Sequence, residues 1–183
     1  MTLVLLDRDG VINFDSEDYI RSPEQFDPIP GSVEAIARLI RAGFQVAVCT
    51  NQSGLARGLF TEQTLSEIHA KLHTLLQQYQ VALDGIYFCP HSPDCNCDCR
   101  KPAPGLLLQA LSEQSVSANE TWFIGDSLRD MQAALAIGCK PMLVRSGNGT
   151  TQEAQVRKLG VNNIHEDLDA AVSWLLLEAN NPV

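Results

Sequence analysis

The stretch "LVLLDRDGVIN" occupies residues 3–13. Four consecutive apolar residues without polar alternation read as a strand buried on both faces, the kind found inside a parallel sheet. The run stops abruptly at Asp7-Arg8-Asp9-Gly10. In an extended chain, residues two apart project to the same side, so Asp7 and Asp9 are expected to point together, with Gly10 letting the backbone turn sharply after them. Two carboxylates so close repel. A hard cation such as Mg²⁺, or a mixed protonation state, would relieve that repulsion.

The same strand signature recurs in "FQVAVC" (44–49), "GIYFC" (85–89), "TWFI" (121–124) and "PMLV" (141–144). Helical patterns lie between these runs. "SVEAIARLIRAG" (32–43) opens with Ser32 as an expected N-cap, repeats apolar residues at Val33, Ile36, Ala37 and Ile40, and ends on Gly43. "TEQTLSEIHAKLHTLLQQY" (61–79) places Leu65, Ile68, Leu72, Leu75 and Leu76 on one face. Further helices are expected over 105–114, over 127–137 closed by Gly138, and over 168–179. "RSGNGTTQE" (145–153) reads as a loop, and the terminal "NPV" (181–183) as the part that matters least to function. Apolar strands alternating with amphipathic helices predict an α/β fold: a doubly wound, Rossmann-like parallel sheet covered on both faces, with its chemistry beyond the C-terminal strand ends. The 183 residues are expected to form a single domain, 1–183, large enough to bury about 70% of its unfolded surface without covalent staples.

A net charge of −9 argues against binding to nucleic acid or to anionic lipid. An anionic substrate must then be held by a local cluster of donors or by a metal. No stretch approaches the roughly 20 apolar residues of a membrane span, and two Asp and an Arg within the first ten residues come too soon for a signal peptide. A soluble, cytoplasmic monomer with no nucleic-acid or membrane partner is expected.

Four of the six cysteines fall within "CPHSPDCNCDCRKP" (89–102). A reducing compartment disfavours a disulfide knot and points to metal. Cys89, His91, Cys97 and Cys99 supply one imidazole and three thiolates, a closed tetrahedral Zn²⁺ set, structural in kind because no position is left for water. Cys95 is surplus and could compete with Cys97. Cys49 and Cys139 lie in or beside apolar segments and read as buried hydrophobes. His69 and His73, four apart on a helix with no third partner in view, read as surface or packing residues.

Other strand ends supply complementary chemistry. "TWFI" runs into "GDSLRD", which brings Asp126 to the sheet edge and Asp130 one helical turn beyond it. "TNQSG" offers the hydroxyls, amides and backbone N–H groups of Thr50, Asn51, Gln52 and Ser53 at a strand-to-helix turn, suited to phosphate oxygens. Lys101 adds a cation after the third strand. Nucleophile, metal ligands, oxygen donors and a positive charge are the parts that phosphoryl transfer needs.

In order and spacing, "DRDGVIN", "TNQSG", "CRKP" and "GDSLRD" resemble the four motifs of the haloacid dehalogenase superfamily of phosphatases, over roughly residues 3–145. Within it, "TNQSGLARG", "GIYFCPH" and "CDCRKP" resemble the heptose bisphosphate phosphatases, whose near relatives are the histidinol-phosphate phosphatases. The resemblance implies release of the 7-phosphate of a heptose 1,7-bisphosphate, in making heptose precursors for lipopolysaccharide or other glycans. It casts Asp7 as nucleophile and Asp9 as proton donor, then base. It assigns Mg²⁺ to the side chains of Asp7 and Asp126 and the backbone carbonyl of Asp9, and zinc to Cys89, His91, Cys97 and Cys99, favouring Cys97 over Cys95. Thr50 and Lys101 would hold the transferring phosphoryl group, and Arg100 the far end of the substrate. Asp15, Ser16, Tyr19, Asn51, Gln52 and Ser53 would line the sugar pocket. The superfamily usually has Thr where this chain has Val11, which relatives in the subfamily tolerate. Positions 8–49, between Asp7 and Thr50, leave no room for the cap domain of larger members, so the site is expected to be open. Histidinol phosphate as substrate and an inert, zinc-clipped binding module are the alternatives. The complete set Asp7, Asp9, Thr50, Lys101 and Asp126 weighs against inertness.

Overall fold

The computed structural model describes residues 2–180. Six parallel strands lie in the order β3-β2-β1-β4-β5-β6. They are β1 (Leu3–Leu6), β2 (Gln45–Asn51), β3 (Gly85–Cys89), β4 (Thr121–Gly125), β5 (Lys140–Val144) and β6 (Ile164–His165). The four β1 residues are fully buried, as their unbroken apolar run requires. Leu6 stands opposite Val48 of β2 and Ile124 of β4, and β2 runs on beside β3 to Asn51, so the three strands end along one edge of the sheet. The strand order reverses between β1 and β4, and a doubly wound sheet opens its crevice at such a point.

Helices cover both faces. Val4 and Leu6 turn toward α1 (Ser32–Arg41), α2 (Glu62–Gln77) and α6 (Leu168–Asn180); Leu3 and Leu5 turn toward α3 (Gly105–Gln114) and α4 (Leu128–Ile137). The expected stripe of α2 is buried at Leu65, Ile68, Leu72 and Leu76, and Thr61 Oγ1 caps the helix by accepting the Thr64 N–H at 3.1 Å. Cys49 and Cys139 are buried among the apolar residues of the α3/α4 face. No helix among the described residues is long and apolar enough to cross a membrane. Between Asp7 and Gly31 the chain forms loops and one 3-10 turn at Pro23–Gln25, and no separate cap domain rises over the strand ends among the described residues.

Several expectations change. The stretch read as a loop starts a helix, α5 (Gly149–Lys158), followed by the two-residue β6. Val156 is the one fully buried apolar side chain of α5, packed with Met131, Leu143 and Val161, while Glu153 pairs with Arg145 at 2.7 Å and Arg157 at 2.8 Å. Ser32 does not cap α1: Gly31 occupies that position, and the buried Ser32 hydroxyl donates to the Ile12 carbonyl at 2.6 Å. The "NPV" terminus (181–183) lies outside the described residues.

Candidate active site

Asp7 leaves β1 still bonded to the sheet, its N–H donating to Ile124 O at 2.9 Å. Asp126 follows β4 directly, and Asp130 lies in the first turn of α4. A carboxylate oxygen from each of the three lies within 4.8 Å of the others. Gly10 permits this approach. A Cβ there would meet Asp126 Oδ2 at 2.3 Å, and its φ of +81° is strained for any other residue.

Lys101 neutralises the group from below. Its Nζ lies 2.9 Å from Asp7 Oδ1 and 2.7 Å from Asp130 Oδ1, and donates to Cys49 O at 2.8 Å, in a side chain only 1% exposed. Burial disfavours its charge, but Asp130 and Asp7 outweigh burial and hold its pKa above the ordinary value. Asp130 spends its other oxygen on α4, accepting from Ser127 N at 3.0 Å and Ser127 Oγ at 2.6 Å in a capping box. It therefore serves as an anchor for Lys101 and for the helix.

Asp7 and Asp126 remain for a cation. Asp7 Oδ1 accepts the Arg8 N–H at 2.7 Å, and Asp126 Oδ2 accepts from Asn148 N at 2.8 Å and Asn148 Nδ2 at 3.1 Å. Asp7 Oδ2 and Asp126 Oδ1 have no protein partner among the described residues. Burial raises the pKa of both acids, and their acidic neighbours raise it further, against the opposing pull of Lys101. An all-oxygen donor set burdened with excess negative charge fits Mg²⁺.

The Asp9 carboxylate is outside this cluster, contrary to the expectation that it would crowd Asp7. It is forked by Arg8, with Nε at 3.1 Å and Nη2 at 2.9 and 3.0 Å, and also accepts from Asn13 Nδ2 and Gln52 Nε2, each at 2.9 Å. Burial pushes its pKa up, but Arg8 and these amides together bring it below the ordinary value. Two acids two residues apart thus occupy opposite electrostatic settings, an arrangement suited to separate chemical roles. The Arg8 side chain is itself fully buried.

A pocket of about 230 Å³ opens over these groups. Asp15, Ser16, Tyr19, Thr50, Asn51, Gln52, Ser53 and Arg100 all line it. Gln52 Nε2 also donates to Thr50 Oγ1 at 2.9 Å, linking the β2 hydroxyl to Asp9. The Asn51 side chain brackets the Lys101 backbone with two 3.1 Å bonds, so it fixes the lysine as well as lining the pocket. Arg129 and Asn148 line the pocket too and were not singled out from sequence. Arg129 sits inside "GDSLRD", and Asn148 inside the stretch read as a loop after β5. Neither Arg100 nor Arg129 forms an ion pair among the described residues, yet burial and the adjacent Arg129 charge both lower the Arg100 pKa. Two unneutralised guanidiniums side by side at a pocket wall suit an anion.

The cysteine stretch gathers beside the pocket. Sγ of Cys89 lies 3.7 Å from Sγ of Cys97 and 3.1 Å from that of Cys99; His91 Nδ1 lies 3.2 Å from Cys99 Sγ and 3.6 Å from Cys89 Sγ. A Zn²⁺ tetrahedron with Zn–S near 2.3 Å has S···S edges of about 3.8 Å, which the Cys89–Cys97 edge matches, while Cys99 lies closer, 3.1 Å from Cys89 and 3.5 Å from Cys97. All six cysteines are free thiols, and Cys95 is exposed outside the group. The cluster connects to the pocket at Arg100, whose Nη1 donates to His91 O at 3.3 Å. Gly105 lets the loop rest on α3, since a Cβ there would meet Asp98 O at 2.4 Å.

A parallel sheet in this order, with strand-end acids and a buried lysine, defines a hydrolase of the haloacid dehalogenase type. The sequence model of the HAD-hydrolase-like family matches residues 98–171. A D-glycero-β-D-manno-heptose-1,7-bisphosphate 7-phosphatase of Pseudomonas aeruginosa is 47% identical, the match covering 96% of this chain and 98% of that one. The Escherichia coli protein of the same name is 41% identical, covering 92% of each chain. A crystal structure of D,D-heptose 1,7-bisphosphate phosphatase from B. bronchiseptica, complexed with magnesium and phosphate, superposes with a TM-score of 0.94 at 47% identity, covering 97% of this chain and 99% of that one. The chain belongs to the D-glycero-β-D-manno-heptose-1,7-bisphosphate 7-phosphatase family of haloacid dehalogenase-like hydrolases.

Proposed function

We propose that the protein removes the 7-phosphate of D-glycero-D-manno-heptose 1,7-bisphosphate through a phosphoryl group carried on Asp7. The observation that carries this reading is one pocket with cationic groups in two settings: Lys101 buried against Asp7, and Arg100 with Arg129 on the wall. A substrate with a phosphate at each end matches that pattern, and its family relatives bear the corresponding name.

An Asp7 oxygen attacks phosphorus as the bond from phosphorus to the sugar oxygen breaks, and the leaving oxygen takes a proton from Asp9. Arg8, Asn13 and Gln52 favour the ionised form of Asp9 before substrate binds. An incoming phosphate dianion beside it raises its affinity for that proton. Asp9 then takes a proton from water as the water attacks the phosphorus, breaking the bond to Asp7 and freeing phosphate. Lys101 and the Thr50 hydroxyl hold the phosphoryl oxygens through both steps. The Asp7 and Asp126 side chains and the Asp9 backbone carbonyl would hold Mg²⁺, which supplies positive charge at the transferring group when bound. Cys89, His91, Cys97 and Cys99 would hold zinc away from the reacting atoms, fixing the segment that carries Arg100 and Lys101. We assign the whole of 1–183 to one phosphatase domain working as a cytoplasmic monomer on a small sugar phosphate.

Phosphate release should be much faster from heptose 1,7-bisphosphate than from histidinol phosphate, and Asp7→Asn should abolish it in a folded protein. The reverse substrate preference would reassign the enzyme, and turnover by Asp7→Asn would refute the role given to Asp7.

A further inference from the structure

A fully buried guanidinium must place its N–H groups on acceptors. Arg8 places Nε and Nη2 on Asp9, and among the described residues its Nη1 meets only Nε2 of His69, at 3.3 Å. His69 belongs to α2, 61 positions away in sequence, and its ring also lies against Phe88 with centroids 6.2 Å apart. The packing role expected of His69 holds, and the contact with Arg8 adds to it. His73, its neighbour one turn on, lines an outer groove with it, and the pair finds no third metal ligand among the described residues.

Arginine has donors and no acceptor, so the Nε2 facing it must carry a lone pair. The ring is then neutral with its proton on Nδ1. Burial and the Arg8 charge both oppose protonation and bring the His69 pKa down to about 3. The α2 backbone at this point is fixed, because Ile68 and Leu72 on either side are fully buried.

We infer that His69 is a positioning residue for the active site: its Nδ1–H tautomer accepts from Arg8 and holds the guanidinium in the orientation that forks Asp9. A rigid helix thereby sets the direction of a carboxylate that it does not touch. Without the imidazole acceptor, Nη1 must turn to find another, and the fork on Asp9 turns with it. The hydrogen bond stands independently of the reaction; its effect on turnover rests on the reading of Asp9 as proton carrier.

The test combines a spectrum with two substitutions in the full chain. Long-range ¹H–¹⁵N correlation NMR on the unmodified protein at neutral pH should show His69 protonated on Nδ1 and bare on Nε2. His69→Gln keeps an acceptor near the Nε2 position, whereas His69→Leu keeps the bulk and removes it. Since a small misplacement of a reacting group costs up to about 100-fold, Leu should lower kcat on heptose 1,7-bisphosphate by about 10- to 100-fold, with KM within about twofold. Gln should recover kcat to within about threefold of the parent. A proton on Nε2, an unchanged kcat in the Leu variant, or equal losses in both variants would each overturn the inference. If the Leu variant does not fold, the spectrum and the Gln variant decide. Lack of phosphatase activity in the parent protein would instead refute the proposed reaction, leaving the tautomer to decide on the hydrogen bond.

Discussion

Lys101→Met should be among the most destabilising single changes in this protein. The ammonium is 1% exposed and meets Asp130 Oδ1, Cys49 O and Asp7 Oδ1 at 2.7, 2.8 and 2.9 Å. Methionine matches its length and none of its charge, leaving Asp130, itself buried, facing Asp7 with no cation between them. Removing one partner of a buried ion pair costs about 3–5 kcal/mol. A loss of about 3 kcal/mol, the lower end of that range, is expected at about pH 7 without Mg²⁺. The pH dependence has a definite sign. The variant lacks the cation that draws the Asp7 pKa down, so its deficit should grow as the pH rises from about 7 toward about 9, where Asp7 of the parent ionises beside Lys101, and shrink again on acidification. Urea denaturation of metal-free protein at both pH values measures this. Arg157→Ala, which breaks a solvent-screened pair with Glu153, should cost far less and serves as the control. A Lys101→Met loss below about 1 kcal/mol, or one that grows on acidification, would refute the view of Lys101 as the buried counter-charge.

Arg129→Ala should lower kcat/KM for heptose 1,7-bisphosphate by about tenfold or more, the scale of one charge-assisted hydrogen bond. It should leave the heptose 7-monophosphate, which lacks the second anion, nearly unaffected; steady-state kinetics on the pair checks this. Because folding raises the pKa of Asp7 and Asp126, the protonated acids favour the metal-free fold, and that contribution should fade as the pH rises from about 4 toward about 8. Mg²⁺ must displace those protons, so its affinity should weaken on acidification, with proton uptake by buffer visible in calorimetry. Cys97→Ser with Cys99→Ser should abolish zinc by elemental analysis and raise KM more than it weakens Mg²⁺ binding, since the cluster connects to the pocket through Arg100.

The strand-end acids were legible because the buried strands announce themselves as unbroken apolar runs, and whatever follows such a run emerges at the sheet edge. Lys101 and the zinc ligands were legible from chemistry and spacing. Other features depend on tertiary contacts that leave little local trace. Arg8 looks like an ordinary charged neighbour of Asp9, and only the fold buries it against His69 from α2. Alternation put Asp7 and Asp9 on one side, and both do line the pocket, but only the tertiary contacts show that Lys101 holds the first while Arg8, Asn13 and Gln52 hold the second. Asn148 and α5 were hidden in Gly-, Ser- and Thr-rich sequence, where Val156 and the Arg145–Glu153–Arg157 pairs hold a helix that local composition does not suggest. Ser32 had the composition of an N-cap, and the buried Ile12 carbonyl claimed its hydroxyl.

The central claim is that Asp7 carries the phosphoryl group between substrate and water. Heptose 1,7-bisphosphate labelled with radioactive phosphorus at position 7, mixed with excess enzyme and quenched in acid within one turnover, tests it directly. The label should appear on the peptide containing Asp7, be absent with Asp7→Asn, and decay into inorganic phosphate as turnover completes. Label passing from sugar to inorganic phosphate with none on Asp7 at any time, under quench conditions that preserve an acyl phosphate, would contradict the account.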